Sequence, residues 1–172
     1  LVFWNYPKLN ILAGYSAKST ASSVFLAERT LQFTDGTDNA FIPINLAQDH
    51  VNIENKTATA SALGLLSRKA IYRDGLGSVL LTKHNKNLQI VNKPYRALVD
   101  SITPFPFGNG EPEDSIFESI DYANLNRAVN KLFDDANQTR AVLVVYKNKI
   151  IADNYSAGFD KTSRLLGWSM TK

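Results

Sequence analysis

The clearest periodic pattern of apolar residues lies between residues 121 and 136. Apolar side chains recur there mostly three or four positions apart, at Tyr122, Leu125, Val129, Leu132, Phe133 and Ala136. Because an α-helix completes one turn about every 3.6 residues, these positions fall on one helix face. Asp121 stands just before them, and its carboxylate can accept a hydrogen bond from a backbone N–H group of the first turn. The pattern therefore predicts an amphipathic helix capped by Asp121.

Two apolar segments follow this helix. Residues 141–146 (AVLVVY) are apolar or aromatic at every position, which predicts a strand covered on both faces. Residues 150–155 form the second segment, and residues 147–149 (KNK) favour a turn between the two. This order predicts an antiparallel hairpin directly after the helix.

The N-terminal part of the chain mixes helical and extended patterns. Residues 7–28 contain few helix-breaking residues except Gly14, which predicts a helix with Pro7 near its start. Residues 35–39 (DGTDN) predict a turn. Residues 51–53 and 57–66, the latter rich in small and β-branched side chains, favour extended structure.

A hairpin signal follows these extended runs. The dipeptide Asp74-Gly75, typical of tight hairpin turns, separates residues 68–73 from residues 77–82. Together with the helix and hairpin downstream, these elements predict the α+β class. We expect an antiparallel sheet with helices packed on it.

A stretch rich in proline and glycine divides the chain. Residues 103–114 (TPFPFGNGEPED) contain three prolines, which exclude a helix and a central strand. We therefore predict an N-terminal extension of mixed structure at residues 1–102, a linker at 103–118, and the start of a second domain at 119–172.

The absence of cysteine narrows the possible chemistry. It excludes structural disulfides, zinc sites made of thiolates, iron–sulfur clusters and a cysteine nucleophile. The two histidines, His50 and His84, are far apart in the sequence and are expected at the surface, so we predict no metal site. Gly75-Leu76-Gly77 lacks the third glycine of a dinucleotide-binding loop, and no cofactor is expected.

The net charge of +3 comes entirely from residues 119–172. This region has no basic run and no alternation of aromatic residues with arginines, so nucleic acid is not an expected partner. No stretch approaches the roughly 20 apolar residues that a membrane helix needs. The apolar residues 1–4 (LVFW) fit either an ordinary apolar start or the end of an upstream signal or anchor helix.

Ser169 and Lys172 form an S-x-x-K pair. With 13 serines and 12 lysines in the chain, about one such pair is expected by chance, so the spacing alone is weak. On a helix, however, residues three apart share a face, and the lysine amine can reach the serine hydroxyl. A lysine that is neutral at working pH can accept the hydroxyl proton, which activates the serine for acyl transfer.

The residues around this pair strengthen the interpretation. Residues 165–172 (LLGWSMTK), preceded by the helix and the hairpin, resemble the first motif of the serine β-lactamase-like hydrolases. The similarity is greatest to the branch of class C β-lactamases, esterases and nylon-oligomer hydrolases. Residues 14–18, 23–27 and 68–77 resemble the N-terminal extension of one bacterial branch.

The resemblance implies a serine β-lactamase-like fold, with Ser169 as the acylated nucleophile and Lys172 as its base. It implies small-molecule amides or esters as substrates, including β-lactams or short oligomers. It also implies a location in the bacterial periplasm, or on a membrane anchor that faces the periplasm. Where members of the branch often carry cysteines, this chain has Ser22, Ser23 and Ser78.

The later motifs of the family, Tyr-x-Asn and Lys-Thr-Gly, lie downstream of the S-x-x-K pair, so the resemblance covers the N-terminal portion of the family only. We expect the remaining C-terminal polypeptide to be a partner of this chain, and the 172 residues alone to show no turnover. The alternative is a non-catalytic domain that binds the cell envelope or another protein, with Ser169 as an ordinary N-cap serine. A downstream sequence with both later motifs would favour the enzyme.

Overall fold

The computed structural model describes residues 2–85, 95, 97, 100–113 and 115–167, with side chains described from Tyr6 onward. These residues form two units. The first contains the chain up to Tyr95 together with residues 164–167, and the second contains residues 97–163. Helices and antiparallel strands occur in both units, so the protein is α+β as the sequence predicts.

The first unit begins with the long helix α1, Val2–Phe25. The helix predicted over residues 7–28 is confirmed over most of its length, although it begins earlier, at Val2, so that Pro7 lies in its second turn. Pro7 is tolerated because, so near the start, its missing N–H group affects a single carbonyl of the first turn. The helix ends earlier than predicted, and Glu28, with φ 58°, reverses the chain. Among the described residues, no helix combines the length and the apolar character needed to cross a membrane.

A four-stranded antiparallel sheet follows in the first unit. Its strands are adjacent in chain order, each paired with the next, and comprise β1 (Ala47–Asn52), β2 (Thr57–Ala62), β3 (Leu66–Arg73) and β4 (Gly77–Leu80). The hairpin predicted at Asp74-Gly75 is confirmed, since Arg73 pairs with Gly77 and Gly75 has φ 75°. The extended structure predicted near residues 51 and 57 is also confirmed, although β1 starts earlier and β2 ends earlier than predicted.

The core of the first unit consists mainly of alanines. The alanines with no exposed surface come from α1 and from the sheet, and they are Ala13, Ala17, Ala21, Ala58, Ala60, Ala62 and Ala70. Alternate residues of β2 point toward α1, which fits the two-residue period of a strand. Small side chains on both surfaces let the helix lie close to the sheet. At Gly14 an added Cβ would lie 3.0 Å from a methyl carbon of Leu80.

A short helix connects α1 to the sheet. Helix α2, Leu31–Gly36, begins where the hydroxyl of Thr30 accepts a hydrogen bond from the backbone N–H of Phe33. The turn predicted at residues 35–39 is therefore partly wrong, because its first two residues complete this helix. Residues 37–39 do form a turn.

The second unit contains the predicted amphipathic helix, here α3 (Tyr122–Lys131). Its cap is confirmed, since the Asp121 carboxylate accepts a hydrogen bond of 3.0 Å from the backbone N–H of Asn124. The helix is shorter than the apolar pattern predicts. Two acidic residues, Asp134 and Asp135, follow its end, where the negative end of the helix dipole disfavours acidic side chains.

The predicted hairpin is confirmed as β5 (Ala141–Tyr146) and β6 (Lys149–Tyr155). Lys147 and Asn148 form its turn, and both have positive φ, as the tightest hairpin turns require. The prediction that β5 is covered on both faces is wrong for this unit. The side chains of Leu143 and Val145 are 53% and 45% exposed, because no third strand joins the pair among the described residues.

Residues 103–113, within the predicted linker, contain no helix and no regular strand. Two glycines are needed there because the backbone folds back on itself. A Cβ at Gly110 would lie 2.7 Å from the carbonyl oxygen of Ile102, and one at Gly108 would lie even closer to that of Thr103. The segment is joined to the rest of its unit by ion pairs, Glu113 with Lys149 and Glu111 with Lys161.

Candidate functional site

The two residues of the predicted catalytic pair, Ser169 and Lys172, lie outside the residues that the structure describes. The described chain reaches Gly167, two positions before Ser169. The candidate site is therefore built from the segment that leads to the S-x-x-K pair, residues 164–167, and from the part of the first unit that contacts it. We call this segment the approach segment.

Two arginines join the approach segment to the end of α1. Arg29 donates a hydrogen bond of 2.7 Å from Nη2 to the carbonyl oxygen of Arg164. In the opposite direction, Arg164 donates a hydrogen bond of 2.7 Å from Nη1 to the carbonyl oxygen of Leu26. Arg29 thus binds the carbonyl of Arg164 itself, and Arg164 binds a carbonyl three positions before Arg29, so two charge-assisted hydrogen bonds hold the approach segment against the end of α1.

Arg29 is itself held by a buried ion pair. Its Nη1 lies 2.8 Å from Oδ2 of Asp38, and the two side chains are only 9% and 5% exposed. The same carboxylate oxygen accepts a hydrogen bond of 3.1 Å from Ser23, whose hydroxyl accepts one of 2.8 Å from Thr34. Removal of the charge on either side would leave the other buried without its partner. The ion pair therefore gives Arg29 one fixed orientation.

The chain reaches this arrangement because α1 ends just before Arg29. Glu28 adopts a left-handed conformation, and the backbone N–H of Arg29 donates 3.1 Å to the carbonyl of Ser23. Thr30 then caps α2, so Arg29 sits between two helices. Ser23 of α1 donates a hydrogen bond to Asp38 and accepts one from Thr34 of α2, so both helices support the ion pair.

A cavity of about 320 Å³ lies between α1 and the approach segment. Its lining residues from α1 share one face of the helix, at spacings of three and four positions. The described lining residues are Tyr15, Lys18, Ser19, Ser22, Leu166 and Gly167. Burial, and then the charge of Asp38, raise the pKa of Tyr15 above its ordinary value, so its hydroxyl keeps its proton at neutral pH.

A second polar cluster lies where α1 meets β1. Ser16 donates a hydrogen bond of 2.6 Å to Asp49, and the side-chain amide of Asn39 donates to Thr20 at 3.0 Å and to Asp49 at 3.2 Å. Burial raises the pKa of Asp35 to about 6, with further contributions from the charge of Asp49 and a hydrogen bond to it. Below that pH the carboxyl group of Asp35 holds a proton and can donate a hydrogen bond to Asp49.

The histidines and the replaced cysteine positions can also be placed. His50 and His84 are exposed, as predicted. In the described part of the chain, no three acidic or histidine side chains come together as metal ligands would. Ser23 binds Asp38 and Thr34, whereas the hydroxyl of Ser78 is buried and has no partner among the described residues.

Comparison with known proteins adds no family to this description. No protein-family model, no curated protein and no solved structure matches the chain.

The sequence reasoning missed Arg29, Asp38 and Arg164. Arg29 and Arg164 are 135 positions apart, so no local pattern signals their contact. The only local signal is the break after α1, where Glu28-Arg29-Thr30 interrupts two helices. It predicts a chain reversal but does not indicate what the arginine binds.

Proposed function

We propose that this chain provides the nucleophile segment of a serine hydrolase, which cleaves amide or ester bonds of small molecules through an acyl-enzyme. Ser169 is the nucleophile and Lys172 its base in this proposal. The support is the resemblance of residues 165–172 to the first motif of the serine β-lactamase-like hydrolases, together with the order of helix α3, hairpin β5–β6 and approach segment. The serine β-lactamase-like fold is part of the same proposal.

The reaction follows from the chemistry of the pair. Neutral Lys172 accepts the proton of the Ser169 hydroxyl, and the serine oxygen attacks the carbonyl carbon of the substrate. The tetrahedral intermediate expels an amine or alcohol, which leaves with the proton that the lysine had accepted. Water then attacks the ester on Ser169, the acid product departs, and the serine regains its proton.

The observation that carries the proposal is a pair of hydrogen bonds, from Arg29 to the carbonyl of Arg164 and from Arg164 to the carbonyl of Leu26. An acyl-transfer site needs its nucleophile held to within a fraction of an ångström, about 0.5 Å. The approach segment ends two residues before Ser169, and buried Arg29 fixes it to the first unit. A loop whose only task is to connect two domains has no need of such an anchor.

The exposed apolar side chains of β5 support a further part of the proposal. We propose that polypeptide following the S-x-x-K pair adds strands beside β5–β6 and covers Leu143 and Val145. A two-stranded hairpin alone is marginally stable in water, and its apolar face favours such a cover. We place the assembled protein in the bacterial periplasm or on a membrane anchor facing it, as the family resemblance implies.

The test uses the longer protein that contains this chain and the sequence after it. A fluorescent β-lactam or fluorophosphonate is expected to label the protein at Ser169, identified by mass spectrometry of the labelled peptide. Ser169→Ala should abolish labelling, and Lys172→Ala should slow it by orders of magnitude. Ser119→Ala, a change of an exposed serine, is the matched control and should label normally.

Labelling that survives Ser169→Ala would contradict the nucleophile. If neither probe labels the folded protein, the alternative of a non-catalytic domain that binds the cell envelope or a partner protein is favoured. The two results are distinct, because the first identifies a different nucleophile and the second identifies none.

A further inference from the structure

The two ends of the first unit differ in charge. One end, which we call the basic end, is formed where the N-terminal half of α1 meets the segment before β1, the β2–β3 turn and the segment after β4. It comprises residues 6–14, 40–48, 60–69 and 80–85. These residues include four lysines or arginines and no aspartate or glutamate. Asp49, the next acidic residue along β1, accepts a hydrogen bond from Ser16 of α1.

The opposite end of the unit provides an internal comparison. There the C-terminal end of α1 meets the β1–β2 and β3–β4 turns, and Phe25 stacks on Tyr72 with ring centres 6.0 Å apart. Residues 25–30, 52–57 and 72–77 include three basic and three acidic residues. A positive charge without acidic neighbours is therefore a property of the basic end alone.

Large apolar side chains are exposed at the basic end. Leu63 and Leu65 belong to the β2–β3 turn, and they are 57% and 64% exposed. Because Ala62 pairs with Ala47, Leu46 comes next to this turn, and it is 49% exposed. None of the described elements covers these leucines.

Leu63 is unfavourable for folding in two ways. Its backbone has φ 51°, in the left-handed region where a side chain is strained and where glycine or asparagine is more usual. Its apolar side chain also lies at the surface. An asparagine would form the turn more easily and would expose no apolar surface. The stability of the unit therefore does not explain this leucine, whereas an apolar environment outside the unit does.

A cleft of about 610 Å³ lies at the same end, and no acidic residue is among its described lining residues. Its basic lining residues are Arg68, Lys69, Lys83 and His84. Arg68 donates hydrogen bonds to the side-chain oxygen of Asn10 and, at 3.0 Å, to the carbonyl oxygen of Leu81, so its described partners are uncharged. Lys69 and Lys83 are exposed and pair with no described carboxylate. Within the described unit, the positive charge of the cleft is not neutralised.

We propose that the basic end binds the surface of an anionic phospholipid bilayer. Leu63 and Leu65 insert among the headgroups, and the basic side chains of the cleft pair with lipid phosphates. Tyr6 also lines the cleft and is 57% exposed, and tyrosine is enriched at the boundary between lipid and water. Protein interfaces are depleted in lysine, whereas an anionic bilayer attracts it, so the composition favours lipid over a protein partner.

This inference does not rest on the proposed hydrolase reaction. It adds to the proposed location a surface of the folded unit and a class of lipid, and it requires no upstream anchor. Vesicle binding and probe labelling of Ser169 are separate measurements, so the failure of one leaves the other intact.

The test is sedimentation of the 172-residue chain with phosphatidylcholine vesicles that contain or lack phosphatidylglycerol. Binding is expected to be at least about tenfold tighter with phosphatidylglycerol and to weaken as the salt concentration rises. Because the chain has no cysteine, Leu65→Cys and Ile53→Cys each provide a single position for a polarity-sensitive dye. The emission of the dye at residue 65 should shift to the blue on binding, and that of the dye at residue 53 should not.

Matched variants at the two ends test the position of the surface. Leu65→Ser and Ile53→Ser change side chains of similar exposure, 64% and 67%, at opposite ends of the unit. Leu65→Ser is expected to weaken binding about tenfold, and Ile53→Ser to leave it unchanged. Lys83→Gln should weaken binding about fivefold, whereas Lys56→Gln, which removes the same charge at the opposite end, should have no effect.

Leu63→Asn separates a binding role from a structural one. It should weaken vesicle binding about tenfold and yet raise the melting temperature of the unbound chain, because asparagine adopts a positive φ more readily than leucine. A leucine needed for packing would instead lower the melting temperature when it is replaced.

The proposal is wrong if vesicles of the two compositions bind equally, or if the variants at the opposite end weaken binding as much as those at the basic end. It is also wrong if the intact chain binds no vesicles. In that case light scattering identifies the alternative occupant: a dimer that Leu65→Ser dissociates indicates a second copy of the chain, and a monomer indicates a different protein partner.

Discussion

The two units of this protein differ in how completely they bury their apolar surfaces. In the first, α1 lies on the sheet through fully buried alanines, and the few polar groups at this interface are mostly bonded to one another. In the second, the hairpin keeps Leu143 and Val145 half exposed, and Ile116 is 89% exposed. The comparison teaches that the first unit covers the apolar face of its sheet with a helix, whereas the second leaves apolar side chains of its hairpin exposed.

The units also differ in how they use charge. One ion pair of the first unit, Arg29 with Asp38, is buried, and it orients the approach segment. The ion pairs described in the second unit involve exposed glutamates, Glu111 and Glu113, and exposed pairs contribute little to stability. The first unit thus has a buried ion pair with a positioning role, whereas the pairs described in the second lie at its surface.

The largest expected effect is that of Arg29→Ala. The change leaves Asp38 buried without its partner, which should lower the free energy of unfolding by about 3–5 kcal/mol. Urea unfolding followed by circular dichroism measures it. Lys56→Ala, which breaks the exposed pair with Asp74, is the control and should change the stability by less than about 1 kcal/mol. Equal losses in the two variants would contradict the role given to burial.

A smaller loss of stability is expected when a larger side chain replaces one of the buried alanines between α1 and the sheet. Ala60→Leu places a larger side chain where β2 faces α1 with no free space, and it should destabilise the first unit by about 1–3 kcal/mol. Ala157→Leu adds the same volume at an exposed position of the second unit and should be nearly neutral. Thermal unfolding measures both. A neutral Ala60→Leu would show that the helix does not lie close to the sheet.

The carboxyl pair of the first unit makes its stability depend on pH. The folded protein holds a proton on Asp35 up to about pH 6, whereas the unfolded chain releases it near the ordinary value of 3.8. Stability should therefore fall as the pH rises from about 4 to about 6, because the folded state binds more protons in this window. Asp35→Asn should flatten this dependence and stabilise the protein at about pH 7.5.

The control for this pH dependence is Asp74→Asn, which changes an exposed aspartate that pairs with a lysine. Melting temperatures measured across the pH range should keep the original slope in that variant. If Asp35→Asn also keeps the slope, protonation of Asp35 is ruled out as its cause.

The smallest effect is expected at the exposed face of β5. Leu143→Thr in the 172-residue chain should change stability by less than about 0.5 kcal/mol, because Leu143 is half exposed there. In the longer protein the same change should be clearly destabilising if further polypeptide covers β5. Thermal unfolding of the 172-residue chain and of the longer protein, each with and without Leu143→Thr, measures this difference. Equal small effects in both would argue against the proposed cover of β5.

The sequence predicted those helix starts and turns that are determined by a few neighbouring residues. Asp121 and the apolar spacing after it locate the start of α3, and Asp74-Gly75 locates a hairpin, since a cap or a turn is decided within a few residues. The start of β1 was missed for a physical reason. Asp49 occupies a position facing α1, where a hydrophobic residue is expected, because Ser16 and Asn39 bind its carboxylate.

The candidate site is less predictable than the fold. The S-x-x-K pair is visible in the sequence, but the contacts of Arg29 with Arg164 and of Asp35 with Asp49 join residues from separate elements. Such contacts depend on which surfaces the folded chain brings together. A single sequence contains no periodic pattern from which they could be inferred.

The separation of Arg29 from Arg164 has a consequence for the order in which the chain matures. In the first unit, each strand of the sheet pairs with the next strand along the chain, and α1 directly precedes them. These elements can therefore form while the ribosome is still adding later residues. The hydrogen bond from Arg29 to the carbonyl oxygen of Arg164 spans 135 positions, so it can form only after nearly the whole described chain has been made. The approach segment is therefore expected to dock after the helix and the sheet of the first unit, on a surface that has already folded.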